Sequence, residues 1–365
     1  MRAVIEKVKL PAEGRIIAIS DVHANLPYLR GLLDKLRLQD EDTLVFCGDL
    51  MEKGGYSLET LRYVMRLSQE RRVLAVQGNC DCWQNSIYRA TGRSDMYTKQ
   101  YLLSNGAGWG PGLLAQMCGE IGFGISESMD MNEFRREISA AFGPEFDFLE
   151  ALPHVILTDH YVFVHGGIPK GRPEEWDSWD CMKNDDFLGQ GRSFNRWIIV
   201  GHWPVVLYGG DTVCANPIIE RERKIISIDG GCVLKDDGQL NALIIPHNGS
   251  EDFAFEHYDR FPVRTVKTAQ AGSEKSAYIR WGDNLVRILE RGEEFSRCMH
   301  IRTGYVLDIL TKYLYGESGD VRCNDCTDYV LPLEPGDRVS VVEETSRSCL
   351  VKHNGVTGWY GGELL

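Results

Sequence analysis

Short apolar runs alternate with longer amphipathic stretches over the first part of the chain. Apolar runs at 16–19, 43–46 and 73–76 are each followed by a polar or glycine-containing cluster. Between them, residues 26–38 and 57–67 place apolar side chains at helical spacing. Three rounds of buried strand, loop and helix predict an α/β sheet with parallel neighbouring strands. In such sheets ligands bind at the carboxyl ends of the strands, where all three polar clusters lie.

Three further apolar runs repeat this pattern later in the chain. Residues 161–164, 197–200 and 225–228 end in His-Gly-Gly, Gly-His and Asp-Gly-Gly. The segment 84–150 differs, because helical spacing recurs over 131–148, and it predicts a helical insert or cap. Its Gly-rich stretch follows no apolar strand, so a dinucleotide-binding loop is the less favoured interpretation.

The pattern becomes β-like towards the C-terminus. Residues 266–276 are small and polar, as in a linker. Four short apolar runs follow, at 330–333, 338–342, 348–352 and 356–360. An Asn-Gly pair between the last two runs is a strong hairpin signal. We therefore predict a small β-barrel over 320–365.

The composition is that of a globular protein with an acidic balance. The chain has 40 Lys and Arg against 53 Asp and Glu, a net charge of −13, and 43% hydrophobic residues. Long nucleic acids are not expected as partners, because the proteins that bind them need positive charge. A phosphate site can still exist where metal ions supply the positive charge locally.

The sequence predicts a cytoplasmic protein with no membrane partner. Its apolar runs are far shorter than the ~18 residues of a membrane span, and its first residues lack a signal-peptide core. The 11 cysteines are expected to be reduced thiols. Cys323 and Cys326 have the spacing of a zinc site, but free thiols are the simpler interpretation without a second pair.

Side chains suited to metal binding follow the predicted strands. They comprise two carboxylates, one amide and three imidazoles, namely Asp21, His23, Asp49, Asn79, His165 and His202. Such ligands suit manganese, iron or zinc better than calcium. A carboxylate can bridge two ions, and two ions roughly 3.5–4 Å apart can hold a phosphoryl group and generate a bridging hydroxide. Each residue alone could be a turn, cap or core residue, but the whole set predicts a two-metal site.

The series of strand-end motifs resembles the calcineurin-like metallophosphoesterase superfamily, and its phosphoprotein phosphatase branch in particular. The motifs are Asp21-Val22-His23, Gly48-Asp49, Gly78-Asn79, His165-Gly166-Gly167 and Gly201-His202. That branch includes Ser/Thr protein phosphatases and symmetrical dinucleoside tetraphosphatases. The resemblance implies a four-layer α/β/β/α sandwich over residues 1–262, with 84–150 as its insert.

The resemblance also implies two divalent metal ions, with manganese favoured over iron or zinc. The first ion would be held by Asp21, His23 and Asp49. The second would be held by Asp49, Asn79, His165 and His202, with Asp49 as the bridge.

Four candidate catalytic residues depart from, or complete, the family's motifs. Lys53 stands where the family has a phosphate-binding Arg, and it could act as a point charge without the bidentate fork. Cys80, followed by Asp81, stands where the family has the His that protonates the leaving group. Glu52 replaces the Asp that orients this His. A thiol is a weaker donor than imidazolium, which favours activated esters, anhydrides or diesters.

The C-terminal segment resembles bacterial SH3-like domains over about 45 residues. The resemblance implies an SH3-like β-barrel over 320–365, joined by a linker over 263–319, that binds a peptide partner or packs on its own chain. Trp359 and Tyr360 are candidates for its binding surface, and core packing is the equal alternative.

Taken together, these features predict a metal-dependent phosphoesterase in which a metal-bridging hydroxide attacks phosphorus. The favoured interpretation is a phosphoprotein-phosphatase-like Ser/Thr monoesterase. The alternative is a dinucleoside polyphosphate or nucleotide hydrolase, or a phosphodiesterase, as Gly-Asn-Cys-Asp suggests. A non-catalytic phosphate-binding regulator is a third possibility, which the complete ligand set disfavours. The substrate would be a phosphorylated protein or a nucleotide. Lys183, Arg192 and Arg196 could reach its phosphate, although a solvated surface charge is the simpler interpretation of each.

Overall fold

A computed structural model of the protein describes residues 1–210, 212–317 and 319–365. The chain divides into two units with separate cores. Unit 1 consists of Met1–Val205, Pro217–Leu234 and Gly238–Asp259. Unit 2 consists of Val206–Asn216, Lys235–Asp237 and Arg260–Leu365, so it takes two short segments from the middle of the chain as well as the C-terminal part.

The longer helices lie where the apolar spacing predicts them, to within a few residues. The α-helices are Leu26–Leu36 (α1), Ser57–Glu70 (α2), Gln84–Tyr88 (α3), Gly92–Leu103 (α4), Leu113–Ile121 (α5), Met131–Ala151 (α6) and Ser178–Met182 (α7). Helices α3 to α6 occupy the segment for which a helical insert is predicted. The Gly-rich stretch within it contributes a single 3-10 turn, Gly106–Gly108, between α4 and α5.

The strands of the described chain are short. Those up to residue 258 are Ile5–Lys7 (β1), Ile16–Ile19 (β2), Thr43–Phe46 (β3), Val73–Ala75 (β4), Val155–Leu157 (β5), Tyr161–Val164 (β6), Trp197–Val200 (β7), Val213–Cys214 (β8), Ile218–Glu220 (β9), Ile225–Ser227 (β10), Leu240–Ile245 (β11) and Ala254–Tyr258 (β12). The later ones are Val263–Thr265 (β13), Tyr278–Ile279 (β14), Val286–Glu290 (β15), Phe295–His300 (β16), Val306–Leu310 (β17), Leu314–Tyr315 (β18), Arg322–Cys323 (β19), Cys326–Thr327 (β20), Arg338–Glu344 (β21), Cys349–His353 (β22) and Val356–Tyr360 (β23).

Two sheets form unit 1. One has the strand order β12-β11-β2-β3-β4, and the other has the order β1-β5-β6-β7-β10-β9. The predicted parallel neighbours are confirmed for β2 with β3, β3 with β4, β6 with β7 and β7 with β10. Ile19 pairs with Phe46, and Phe46 pairs with Ala75, so the ends of β2, β3 and β4 lie side by side. This register brings the loops that follow them to one edge.

Apolar side chains cover both faces of the five-stranded sheet. Ile16, Ala18 and Val45 share one core with Phe163 and Ile199 of the six-stranded sheet. The alternate residues pack with the helices instead, in a core that includes Ile17, Ile19, Leu44 and Phe46 with apolar residues of α1, α2, α5 and α6. Burial on both faces explains the continuous apolar runs of these strands. Unit 1 is therefore a mixed α/β sandwich, while the fourth layer remains a prediction.

Unit 2 is built of small antiparallel sheets. Strands β13, β21, β22, β23 and β8 form one sheet in that order, and β15, β16 and β17 form another. The predicted hairpin turn is present, with φ of 50° at Asn354 and 79° at Gly355. The run at 330–333 forms no strand in the described chain. It makes two isolated bridges, one between Val330 and Trp359 and one between Leu333 and Gln270. The SH3-like barrel remains a prediction.

The segment 263–319 differs from the expected linker. It contains β13 to β18, and its apolar residues Val286, Cys298 and Ile309 belong to a core of their own. Only residues 266–276 are small and polar. The composition of these residues predicted a linker, but the rest of the segment forms strands. Tyr360 is buried, and Trp359 packs against Phe295 with ring centroids 5.8 Å apart. Of the two alternatives for Trp359 and Tyr360, the structure therefore favours core packing over a binding surface.

Two sequence expectations concern features outside the sheets. None of the helices in the described part of the chain combines the length and apolarity of a membrane span. The 11 cysteines are free thiols, as predicted. Cys323 Sγ lies 3.9 Å from Cys326 Sγ, and neither belongs to a metal-ligating group among the described residues.

Candidate active site

The loops after β2 and β3 are joined by backbone hydrogen bonds. Asp21 N donates to Gly48 O at 3.0 Å, and His23 N donates to Asp49 O at 2.9 Å. The loop after β4 joins them, because Cys80 N donates to Asp49 Oδ1 at 2.8 Å. The three polar clusters that the sequence places at strand ends therefore meet in one site.

Unusual backbone conformations aim the candidate ligands. The φ angles are 55° at Asp21, 46° at His23, 51° at Asp49 and 66° at His202. Positive φ is uncommon in residues other than glycine, and such strain is characteristic of functional sites. At these four of the six predicted ligands, the positive φ makes the backbone depart from the extended conformation of a strand.

The first candidate metal group contains Asp21, His23 and Asp49. His23 Nε2 lies 3.7 Å from Asp21 Oδ1 and 3.7 Å from Asp49 Oδ2, and all three side chains are buried. Burial raises the pKa of Asp21 to about 6 and lowers the pKa of His23 to about 3. Both nitrogens of His23 and Asp21 Oδ1 are buried without a hydrogen-bond partner in the described chain. A cation would satisfy these orphaned atoms, so the residues fit a metal ion.

The second group contains Asp49, Asn79 and His165. His165 Nε2 lies 3.3 Å from both Asp49 Oδ1 and Asn79 Oδ1. His165 Nδ1 lies 2.8 Å from Cys47 O. If Nδ1 carries the proton and donates it to this carbonyl, the lone pair of Nε2 faces the two oxygens, which is the arrangement of a metal-binding histidine. Burial lowers the pKa of His165, but the charges of Asp49 and Asp21 outweigh it and raise this pKa to about 10, so the group attracts positive charge.

His202 completes the second group. One ligand atom of each of His202, His165 and Asp49 lies within 4.8 Å of the others. His202 N donates to Asp21 Oδ2 at 2.9 Å, which ties the loop after β7 to the loop after β2. Burial, followed by the charge of His165, lowers the pKa of His202 to about 4. Asp49 belongs to both groups, and its role as the bridge between two ions remains a prediction.

Lys183 lies beside the second group, whereas Arg192 and Arg196 have other partners. Its Nζ is 3.3 Å from His202 Nε2 and 2.9 Å from Asp185 Oδ1, and Asp185 Oδ1 is 2.7 Å from His202 Nε2. Arg192 instead donates to Pro169 O, and Arg196 donates to Asp159 O.

Cys80 faces the first group. Its Sγ lies within 4.8 Å of a ligand atom of His23 and of Asp49. Burial and then the charge of Asp49 raise the pKa of Cys80 well above the ordinary range of a thiol. Both effects disfavour the thiolate and favour the neutral thiol.

Lys53 brings a positive charge to the same loops. Burial lowers the pKa of Lys53, but the surrounding carboxylates, Asp49 and Asp21 among them, raise it by more. The ammonium group therefore remains charged beside the carboxylates, which suits a phosphate-binding cation.

Asp81 and Glu52 differ from the other candidate catalytic residues. Asp81 is buried and accepts hydrogen bonds from the backbone N–H groups of Leu50 at 3.0 Å and Gly78 at 3.0 Å. Glu52 accepts from Trp83 Nε1 at 2.8 Å and from Leu113 N at 2.8 Å. Both carboxylates thus hold loops and helices, which makes them positioning residues in this structure.

Asp229 and Asp185 are two acidic residues near the candidate ligands that were not among the site residues predicted from the sequence. Asp229 follows β10, is buried, and has one oxygen without a hydrogen-bond partner in the described chain. Burial, then the charge of Asp21, raises its pKa well above the ordinary range. Its position after an apolar strand was the available signal. Asp185 lies in a loop between strands, where no sequence pattern marks it.

A sequence model of the calcineurin-like phosphoesterase family matches residues 14–229. The chain belongs to this family, whose members are metal-dependent phosphoester hydrolases that use two divalent metal ions. At the level of the family, the predicted enzyme class is confirmed, and the non-catalytic alternative loses its support.

Two curated relatives carry the name bis(5'-nucleosyl)-tetraphosphatase. A stretch of 65 residues is 46% identical to a symmetrical bis(5'-nucleosyl)-tetraphosphatase of Xanthomonas campestris pv. campestris, and covers 18% of this chain and 19% of that protein. The chain thus matches about a fifth of the length of that relative. An asymmetrical bis(5'-nucleosyl)-tetraphosphatase of Halalkalibacterium halodurans is 28% identical over 250 residues, which cover 62% of this chain and 89% of that protein.

The chain is also similar to solved structures. A protein serine/threonine phosphatase from Saccharomyces cerevisiae is 12% identical, with a TM-score of 0.39, and the match covers 72% of this chain and 85% of that one.

Proposed function

We propose that this protein hydrolyses phosphoric anhydride bonds in nucleoside polyphosphates, with dinucleoside polyphosphates as the leading substrate class. The observation that carries the proposal is Cys80, whose thiol sulfur lies within 4.8 Å of a ligand atom of His23 and of Asp49, at the position where the family has its proton donor. Anhydride cleavage expels a phosphate group, which leaves without prior protonation far more readily than an alkoxide does. The tetraphosphatase relatives support the same substrate class.

The residues of the site would have distinct roles in this reaction. Asp21, His23 and Asp49 would hold one ion, and Asp49, Asn79, His165 and His202 would hold the other. When bound, the ions supply positive charge and activate the attacking water.

The remaining side chains bind the substrate or shape the loops. Lys53 and Lys183 bind phosphate oxygens as point charges. Asp81 keeps the loop after β4 in place through the backbone of Leu50 and Gly78. Cys80 contributes bulk and a weak donor beside Asp49, and does not transfer a proton to the leaving group.

A Ser/Thr phosphoprotein monoesterase is the second candidate, and the position of Lys183 favours it. The ammonium group lies 3.3 Å from His202 Nε2, so a hydrogen-bond donor stands beside the second ligand group. The alkoxide of a phosphoserine needs such a donor when it leaves.

A panel of substrates tests the proposal. The purified protein is assayed with Mn²⁺ on diadenosine tetraphosphate, a phosphoserine peptide, p-nitrophenyl phosphate and its bis ester. We expect kcat/KM for the tetraphosphate to exceed that for the phosphopeptide at least about 10-fold, because only the ester needs a strong acid. Removal of metal by a chelator should abolish every activity, and Mn²⁺ should restore it.

Each other outcome overturns the proposal in a different way. A phosphopeptide preference would establish the monoesterase in its place. Turnover of the bis ester alone would establish a phosphodiesterase. A protein that binds metal but hydrolyses none of the four compounds would contradict the proposal of a hydrolase.

A further inference from the structure

Three aromatic rings pack against one another beside the loop that carries Asn79 and Cys80. Trp83 and Tyr97 have centroids 6.3 Å apart and planes inclined by 22°. Tyr97 and Tyr101 have centroids 6.1 Å apart and planes inclined by 25°. Trp83 and Tyr101 are closer, at 5.0 Å, and tilted by 47°. We call Trp83, Tyr97 and Tyr101 the aromatic cluster.

The loops of the candidate active site hold the inner rings of this cluster. Glu52 immediately precedes Lys53, and its carboxylate accepts hydrogen bonds from Trp83 Nε1 at 2.8 Å and Tyr101 OH at 2.5 Å. Both inner rings are thereby fixed to the loop that carries Asp49.

The aromatic cluster also lies close to a candidate metal ligand along the chain. Asn79 and Trp83 are four residues apart, so their Cα atoms are separated by at most about 15 Å. The turn between them is tight, because Asp81 N donates to Gly78 O and Cys82 Sγ donates to Asn79 O.

The outer ring of the cluster is open to solvent. Trp83 is 7% exposed, whereas Tyr97 is 58% exposed. A ring that only completed a core would be covered, but this one is held nearly parallel to its neighbours with a large part of its surface in water. Nucleobases stack on exposed aromatic faces of this kind, at about 1–3 kcal/mol per base.

We propose that Tyr97 is the outer ring of a stacking site for a nucleobase of the substrate, and that Trp83 and Tyr101 hold it in place. The inference rests on the proposed function, since it names the part of a nucleoside polyphosphate that lies outside the metal site. Stacking favours substrates that carry a base over those that carry none. It does not distinguish one base from another, because every base has an aromatic face. Tyr97 is then a specificity residue, and Glu52 positions the inner rings.

Paired substrates test the inference. The kcat/KM for diadenosine tetraphosphate is compared with that for inorganic tripolyphosphate, which has anhydride bonds of the same kind but no base. We expect Tyr97→Ala to lower the value for the nucleotide by about 5- to 100-fold and to leave that for tripolyphosphate unchanged. Tyr97→Phe should retain the wild-type ratio, because it keeps the ring. Met96→Ala, which changes a neighbouring residue that is 67% exposed on the same helix, is the matched control and should alter neither value.

A binding measurement separates this inference from the proposed function. Equilibrium dialysis compares AMP with ribose 5-phosphate, and only AMP should lose affinity in Tyr97→Ala, by a similar factor. If the wild type hydrolyses neither polyphosphate, the proposed function fails, while the AMP comparison still decides whether Tyr97 binds a base. If the wild type hydrolyses both polyphosphates, and Tyr97→Ala changes kcat/KM for both equally or for neither, the proposed stacking site is wrong. The proposed hydrolase function is then unaffected.

Discussion

Asp49 Oδ1 lies 3.3 Å from His165 Nε2, and the two residues come from loops that follow strands of different sheets. The other oxygen of the same carboxylate lies 3.7 Å from His23 Nε2. One side chain thus faces both candidate metal groups, which is the geometry that a bridging ligand requires.

Replacement of Asp49 should therefore remove both ions. Asp49→Asn keeps the size of the side chain but removes the charge that the two groups share. We expect metal analysis of the purified variant to give well below the two ions per chain of the wild type. Asp40→Asn makes the same chemical change at an exposed position and is the control. A variant that retains two tightly bound ions would exclude Asp49 as the bridge.

Cys80→His should change how turnover depends on the leaving group. An imidazole at this position is a far better proton donor than the thiol, and general acids contribute about 10²–10⁴-fold to rates. In a series of aryl phosphates, the loss of rate with rising pKa of the leaving phenol should be steep in the wild type and shallower in Cys80→His. Cys80→Ser, which adds no acid, should keep the steep dependence. Equal slopes in all three proteins would show that this position takes no part in proton transfer.

Gly201→Ala should disturb the site through crowding. A Cβ atom there would overlap Ser20 Oγ and Asp21 Oδ2, so these side chains must move. A displacement of about 1 Å can cost about 100-fold in rate, and we expect kcat/KM for p-nitrophenyl phosphate to fall by that order. Gly119→Ala lies in α5 with open space around the new methyl group and should retain full activity. Wild-type activity in Gly201→Ala would contradict the tight contact.

Asp42 should contribute to stability in a manner that depends on pH. Its buried carboxylate accepts from Arg15 Nε at 3.0 Å and Gln39 N at 2.7 Å, and although burial raises the pKa of Asp42, these hydrogen bonds lower it by more. Asp42→Asn should reduce the free energy of unfolding by about 1–3 kcal/mol at pH 7.

The sign of this pH dependence follows from the lowered pKa. The stabilisation is complete above the unfolded-state pKa of about 3.9 and is lost as pH falls through the lower folded-state value. Urea titrations of both proteins should therefore converge only at acid pH. Asp40→Asn is again the control, and a stability difference between wild type and Asp42→Asn that grows on acidification would refute the argument.

Sequence patterns were sufficient for the strands that carry the candidate ligands. The runs at 16–19, 43–46, 161–164 and 197–200 form strands with those bounds, because residues buried on both faces of a sheet must be continuously apolar. The polar residues after them were therefore recognisable as strand-end groups. The segment 263–319 escaped prediction because its strands are half-exposed and their apolar residues are interrupted by charges.

The sequence by itself determined the types of candidate ligand and the strand ends at which they stand, since both follow from residue chemistry and local periodicity. Only the tertiary structure decided what Glu52 does. Its partners Trp83, Tyr101 and Leu113 lie 31, 49 and 61 residues away along the chain. Contacts of such separation depend on how the insert helices pack, which no local pattern encodes. The aromatic cluster depends on the same packing, because Trp83 and the tyrosines of α4 meet only in the folded chain.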